Sequence, residues 1–167
     1  MRLTDGVIVL RDWRDDDVEA AVRATHDPEI PRWTRVPEDN TPENVRAFLA
    51  DSIAEERLII ADAETDELLG ATGVMRVDEE SRRAEIGYWV AAEHRGRGVA
   101  SRAVELLAAW ALGERGLRRV ELHIDPRNAA SLRVAEKAGF QFEGVLRGYE
   151  EIKGVVHDVA MHARLAE

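Results

Sequence analysis

The stretch Glu85-Ile-Gly-Tyr-Trp-Val-Ala-Ala-Glu-His-Arg-Gly-Arg-Gly-Val-Ala100 decides the fold that we predict for this chain. Its first half has the apolar character of a strand, and its second half is a basic turn with Gly96 and Gly98 that leads into a helix near Val99. Glycine adopts positive φ without a steric penalty, and a helix N-terminus presents unpaired N–H groups and a positive dipole end. The sequence therefore predicts an anion cradle at this turn, suited to a diphosphate.

A second segment, Asn128-Ala-Ala-Ser-Leu-Arg-Val-Ala-Glu-Lys-Ala-Gly-Phe-Gln-Phe-Glu-Gly144, lies further downstream. Together with Arg95-x-x-Gly98-x-Ala100, it resembles the GNAT family of acyl-CoA-dependent N-acyltransferases, and it is most similar to the RimJ/RimL-like branch that modifies ribosomal-protein N-termini. The resemblance extends over roughly Leu68 to Leu165. It implies that the strands corresponding to Arg83 to Val90 and Leu117 to Ile124 splay apart and hold acyl-CoA in the opening.

Length and composition predict one globular domain over residues 1–167, with 45% hydrophobic and 34% charged residues. The longest apolar run, Leu106 to Leu112, is far shorter than the roughly 20 residues of a membrane span, so we expect no membrane association. The N-terminus lacks the apolar core of a secretion signal. The absence of cysteine excludes a thiolate nucleophile and disulfides and fits a cytoplasmic protein.

The charge balance favours cationic partners. The formal net charge of −10, from 33 acidic and 23 basic residues, argues against binding to nucleic acid and suits a substrate amine. Only Lys137 and Lys153 are lysines, so most positive charge is guanidinium, which suits bidentate phosphate contacts where it clusters, as at Arg95 and Arg97.

The order of elements predicts an α+β fold: a central, twisted, mostly antiparallel mixed sheet flanked by helices on both faces. Early helices are followed by antiparallel strands and then by a strand-helix-strand unit. The predicted strands are Val7 to Arg11, Arg57 to Ala63, Leu68 to Val77, Arg83 to Val90, Leu117 to Ile124, Phe140 to Arg147 and Val155 to Ala163. The predicted helices are Asp15 to Thr25, a helix from Thr41 with apolar Val45, Phe48, Leu49 and Ile53, then Val99 to Gly113 and Asn128 to Gly139, with a loop from Asp27 to Asn40.

The resemblance implies acetyl-CoA as cosubstrate. The backbone from Arg95 to Ala100 would bind its diphosphate, Asn128 its pantetheine arm, and a backbone N–H near Val90 its thioester carbonyl. Lys137 could meet a CoA phosphate, or it could equally satisfy the C-terminal dipole of its helix. The expected cofactor-binding residues are Trp89, Val90, Arg95, Gly96, Arg97, Gly98, Val99, Ala100, Asn128 and Lys137.

Ser131 is the expected donor to the leaving thiolate, which belongs to a thiol with a pKa of about 8.5. Members of the family often carry a tyrosine seven residues after the asparagine, but this chain has Ala135 there. By resemblance, the RimJ/RimL-like branch uses a serine at the Ser131 position. The alternative is an ordinary helical serine that bonds back to its own helix or faces solvent.

Glu85 is the first candidate for the general base, directly or through water, because burial beside a cleft raises a carboxyl pKa. The alternatives are a solvated strand residue or an ion-pair partner of Arg83. His123 and Asp125 are rival bases at the end of the next strand. Strand periodicity places Tyr88 on the face opposite Glu85. The spacing of the five histidines indicates no metal site.

Two other functions stay open at this point. Gly96-x-Gly98-x-x-Ser101 could be a damaged dinucleotide fingerprint, although its third small residue is missing. Alternatively, the chain could sense acyl-CoA without catalysis. The expected acceptor is a primary amine, either a small molecule or a protein N-terminus, bound near the segment from Glu29 to Asn40. A homodimer is among the expected assemblies.

Overall fold

The computed structural model describes residues 1–50 and 54–167, which form one eight-stranded sheet and five helices. The strands are β1 Arg2–Thr4, β2 Ile8–Asp12, β3 Ala54–Asp62, β4 Leu68–Asp78, β5 Arg83–Val90, β6 Arg119–Ile124, β7 Gln141–Ile152 and β8 Val155–Leu165. The helices are α1 Asp15–Thr25, α2 Glu29–Trp33, α3 Pro42–Ala50, α4 Val99–Leu112 and α5 Ala129–Lys137. Across these described ranges, none of the helices is both long and apolar enough to cross a bilayer.

The sheet is open, and its strands follow the order β1-β2-β3-β4-β5-β6-β8-β7. Among the described strands every neighbouring pair is antiparallel except β5 and β6, which are parallel and are connected through α4. One parallel pair does not make the doubly wound sheet of a dinucleotide fold. The mixed, mostly antiparallel sheet predicted from the sequence is confirmed, and the dinucleotide alternative is wrong.

Helices cover both faces of the sheet, because alternate strand residues point in opposite directions. Leu10 and Ile60 pack with Leu107 of α4 in the larger core cluster. Their neighbour Val9 packs with Trp13 on the other side, in a cluster that continues to α1 and α3. We call the two sides the α4/α5 face and the opposite face.

Strands β5 and β6 separate soon after they begin. Their register ends with Glu85 opposite Glu121, whereas β5 continues to Val90 and β6 continues to Ile124. Beyond this point, within the described part of the chain, β6 pairs with β8 alone. The result is a wedge, the β5/β6 opening, which confirms the splay that the family resemblance implied.

Three parts of the N-terminal half differ from the sequence prediction or escape it. The predicted loop at 27–40 contains α2, which is stabilised where Trp33 Nε1 donates to Glu29 Oε2 at 3.0 Å, one turn away. The first residues, for which no strand was predicted, form β1 and pair with β2. Ile53, expected to extend the apolar face of α3, lies outside the described residues.

Candidate active site

The turn after β5 has the geometry of an anion cradle. A single 3₁₀ turn at Ala92–His94 is followed by Gly96 and Gly98, with φ of +75° and +77°. Gly98 is the N-cap of α4, and among residues 1–50 and 54–167 no side chain caps this helix. The N–H groups of its first turn are therefore open to a ligand, and they border a cavity of about 460 Å³. A Cβ at Gly98 would meet no atom within 4 Å, so it is the positive φ and not a lack of space that favours glycine there.

Most residues predicted to bind the cosubstrate border this cavity. Arg97 is exposed and does not line it, so cofactor binding by Arg97 stays a prediction. The predicted residues that line it are Trp89, Val90, Arg95, Gly96, Gly98, Val99, Ala100, Asn128 and Lys137. Two further cations, Arg127 and Arg133, also face the cavity from the α5 side, so positive charge lies on both of its sides.

The Arg95 side chain has partners within the protein. Its Nε donates to the Val90 carbonyl at 3.1 Å, and its Nη2 lies 2.6 Å from Asp27 Oδ2. These contacts turn the guanidinium back onto the end of β5. Arg95 therefore fixes the shape of the turn, and its backbone, rather than a guanidinium pair with Arg97, is the part suited to a diphosphate.

Val90 directs its own backbone groups into the β5/β6 opening. The Ala91 N–H donates to Leu69 O at 2.9 Å, and Val90 lies opposite Gly70 in the register with β4. In an antiparallel pair this pattern makes the N–H and C=O of Val90 point away from β4. The carbonyl meets Arg95, and the N–H faces the opening, where the resemblance implied a donor to the thioester carbonyl.

The start of α5 holds Ser131 in place. Asn128 is the N-cap of α5, and its Oδ1 accepts the Ser131 N–H at 3.2 Å. Binding of pantetheine by Asn128 stays a prediction, and it would use the amide nitrogen. The side chain of Ser131 is held as well, because Tyr88 Oη donates to Ser131 Oγ at 2.9 Å. Ala135, where the family often has a tyrosine, is fully buried.

Glu85 lies on the opposite face of β5, buried among charges. Arg76 Nη1 is 2.8 Å from Glu85 Oε2 and His123 Nδ1 is 3.5 Å away, yet within the described residues this oxygen makes no hydrogen bond. Burial raises the pKa of Glu85 more than the charges of His123 and Arg76 lower it. Arg83, the ion-pair partner in one of the alternatives, contacts Asp78 instead, so that alternative is wrong.

The two rival bases are poorly suited to accept a proton. Glu150 lies 2.7 Å from His123 Nδ1, and Glu121 lies 3.0 Å from Nε2, so both ring nitrogens act as donors. Burial lowers the pKa of His123, but these hydrogen bonds to carboxylates outweigh burial, and the net result is a pKa raised from 6.5 to about 9. The ring is therefore an imidazolium near neutral pH. A hydrogen bond from Arg127 holds the pKa of Asp125 well below its usual range.

Sequence spacing did not reveal that Glu85, His123 and Glu150 meet, with ligand-type atoms within 4.8 Å of one another. Arg76 contacts both carboxylates of this group. Its guanidinium and the imidazolium supply positive charge, so the group is balanced without a metal ion. Arg76 reaches this position from an irregular part of β4, where its φ is +52°.

The segment predicted to face the acceptor borders the same cavity. Glu29, Ile30, Trp33 and Thr34 line it beside the residues of the cradle. The segment is held against the β7–β8 hairpin, because Lys153 Nζ donates to the Pro31 carbonyl at 2.6 Å. The cavity is therefore shared between the cosubstrate turn and the segment near α2.

Comparison with known proteins identifies the family. The chain matches the acetyltransferase (GNAT) domain over residues 8–141. It is 32% identical over 164 residues to the uncharacterized N-acetyltransferase p20 of Bacillus licheniformis, covering 95% of this chain and 92% of that protein. It is 33% identical over 102 residues to the ribosomal-protein-serine acetyltransferase of Escherichia coli strain K12, covering 61% of this chain and 57% of that protein.

A solved structure shows the same fold with the coenzyme. Mycobacterium smegmatis RimJ in complex with CoA-disulfide superposes with a TM-score of 0.82 and 26% identity, over 99% of this chain and 85% of that chain. The cradle, the β5/β6 opening and these similarities lead to one conclusion. The chain belongs to the GNAT family, is an N-acetyltransferase that uses acetyl-CoA, and is similar to RimJ/RimL-like members.

Proposed function

We propose that this enzyme transfers the acetyl group directly from acetyl-CoA to a primary amine that approaches from the opposite face of the β5/β6 opening. The observation that carries the proposal is that the candidate groups for the cosubstrate and the candidate base lie on opposite sides of β5. Ser131 and the cradle lie on the α4/α5 side of β5, and Glu85 lies on the other side of the same strand. Donor and acceptor can thus enter from opposite faces of the sheet and meet in the opening that begins beyond Glu85 and Glu121.

Each step of the transfer has a residue in reach of the opening. Glu85 takes a proton from the substrate ammonium, directly or through water, so that the free amine can attack the thioester carbon, because its buried oxygen lacks a hydrogen bond and its pKa is raised by burial. As the carbon–sulfur bond breaks, the nitrogen releases its second proton to water and the sulfur leaves as the thiolate. The Val90 N–H stabilises the developing oxyanion, and Ser131 donates a hydrogen bond to the leaving thiolate. The backbone of the cradle, with Lys137 beside it, holds the diphosphate end.

A protein N-terminus is our first candidate for the acceptor, and a small amine is the second. An α-amino group has a pKa of about 7.7–8.0, well below the roughly 10.4 of a lysine amine, so a carboxylate base deprotonates it more readily. Among the relatives, the ribosomal-protein-serine acetyltransferase of Escherichia coli supports the first candidate, and the spermidine N(1)-acetyltransferase of Vibrio cholerae, 28% identical over 106 residues, supports the second. The net charge of −10 favours cationic acceptors of either kind.

The test is release of free thiol from acetyl-CoA in the presence of a panel of amines. Peptides with a free serine or alanine N-terminus should accelerate release strongly, and the same peptides with a blocked N-terminus serve as matched controls. Equal rates for free and blocked peptides, with acceleration by a polyamine, would replace the first acceptor by the second. Tight acetyl-CoA binding with no accelerated release by any amine would favour the acyl-CoA sensor.

A further inference from the structure

Tyr88 is a buried group that no step above uses. Its side chain lies on the α4/α5 face of β5, packs against the larger core cluster and borders the cavity beside Ser131. Its hydroxyl donates to Ser131 Oγ at 2.9 Å. Burial raises the pKa of Tyr88 to about 12, so the phenol stays protonated across the working range of pH and keeps a hydrogen to donate.

The direction of this hydrogen bond determines where the Ser131 hydrogen points. A hydroxyl has one hydrogen and two lone pairs, and here one lone pair of Ser131 Oγ accepts from Tyr88. The backbone of the same serine is fixed by Asn128 Oδ1. With its position set from two sides, Ser131 keeps its own hydrogen for a third partner, which is the arrangement that a departing anion needs.

We propose that Tyr88 is a positioning residue for acetyl transfer, which acts by donating to Ser131 Oγ and thereby turning the Ser131 hydrogen toward the sulfur of acetyl-CoA. This inference rests on the proposed role of Ser131 as donor to the thiolate. No proton has to leave Tyr88, since the Ser131 O–H only donates a hydrogen bond as the carbon–sulfur bond breaks. The phenol of Tyr88 on β5 thus positions the donor Ser131, although α5 has Ala135 at the position where the family often has a tyrosine.

The test is a double-mutant cycle with Tyr88→Phe, Ser131→Ala and the combined variant, assayed with acetyl-CoA and the best amine of the panel. Tyr88→Phe keeps the ring and removes the hydroxyl. We expect kcat to fall by about threefold to tenfold, the range of one lost hydrogen bond, while KM for acetyl-CoA stays unchanged. The combined variant should be no slower than Ser131→Ala alone, because Tyr88 acts only through Ser131.

The outcomes separate this inference from the function on which it rests. An unchanged kcat in Ser131→Ala would refute the donor role of Ser131 and the positioning role of Tyr88 together. A loss in Ser131→Ala with full kcat in Tyr88→Phe would refute the positioning role alone. The same would follow if Tyr88→Phe slowed the enzyme equally with and without Ser131, which would mean that the hydroxyl of Tyr88 acts independently of Ser131. Melting temperatures of all variants identify any loss of folding.

Discussion

The two sides of the β5/β6 opening differ in the groups that line them: one side has backbone and neutral groups, and the other has charged side chains. On the α4/α5 side, the site consists of backbone N–H groups, two glycines with positive φ and a neutral Tyr88–Ser131 pair. On the opposite side, Glu85 lies in a buried network of charges with Arg76, His123 and Glu150. A binding site for a fixed cosubstrate can be made from main chain, whereas the proton chemistry of an acceptor requires groups whose pKa values are set by their neighbours.

The largest effect should come from the opposite side. Glu85→Gln keeps the shape of the side chain and removes the base, and we expect kcat near pH 7 to fall by about 100-fold or more. In the parent, the rate rises as pH increases through the raised pKa of Glu85, since only the carboxylate accepts a proton. In the variant, this rise of the rate through the pKa of Glu85 should be absent. The rate should recover partly at higher pH, where more free amine exists.

A pH–rate profile of kcat measures this effect. Glu121→Gln is the matched control, because it neutralises the carboxylate that lies opposite Glu85 in the register. Hydrogen bonding with His123 lowers the pKa of Glu121 to about 2, so this group cannot act as the base. If the two variants lose the same activity, charge balance rather than proton transfer explains the effect of Glu85.

The second effect tests the backbone side. Gly98→Val forces a β-branched residue into the left-handed region, which costs a non-glycine residue about 1–2 kcal/mol or more, so the turn should leave its cradle shape. We expect the affinity for acetyl-CoA to fall by about tenfold or more while the fold persists.

Titration calorimetry with acetyl-CoA measures that affinity. Gly116→Val is the control, since Gly116 has a φ of +75° and an added Cβ there also meets no atom within 4 Å, but it lies outside the cavity. Unchanged affinity in a folded Gly98→Val protein would remove the cradle from the site. Equal losses in both variants would point to general strain.

The smallest effect concerns stability on the charged side. The pKa of His123 is raised from 6.5 to about 9, so its pairing stabilises the fold fully below pH 6.5 and is lost as pH rises through 9. The free energy of unfolding of the parent should therefore decrease over this window. In His123→Gln the decrease should be smaller, as measured by urea unfolding at pH 6.5 and pH 9. An identical decrease in both proteins would show that His123 is not protonated in the folded state.

Prediction from the sequence worked best where structure is local. Gly96 and Gly98 indicate the cradle, because glycine is the residue that most readily adopts a positive φ. Strand periodicity places Glu85 and Tyr88 on opposite sides of β5. The charged network has no comparable signal, since Arg76, His123 and Glu150 come from three different strands. Arg76 reaches it through an irregularity of β4 that leaves no mark in the residue pattern.

The separation of β5 and β6 also has a thermodynamic consequence. Beyond Glu85 and Glu121, each strand has lost a neighbour, and the sheet contains a gap in its hydrogen bonding that water or a ligand must satisfy. In the proposed binding mode, acetyl-CoA fills part of this gap in the sheet as well as reacting there. Because it binds the folded chain alone, a concentration of 100 times its dissociation constant adds about 2.7 kcal/mol to the free energy of unfolding. The concentration of cosubstrate therefore changes the stability of the folded chain, and with it the resistance to proteolysis, as well as the rate of the reaction.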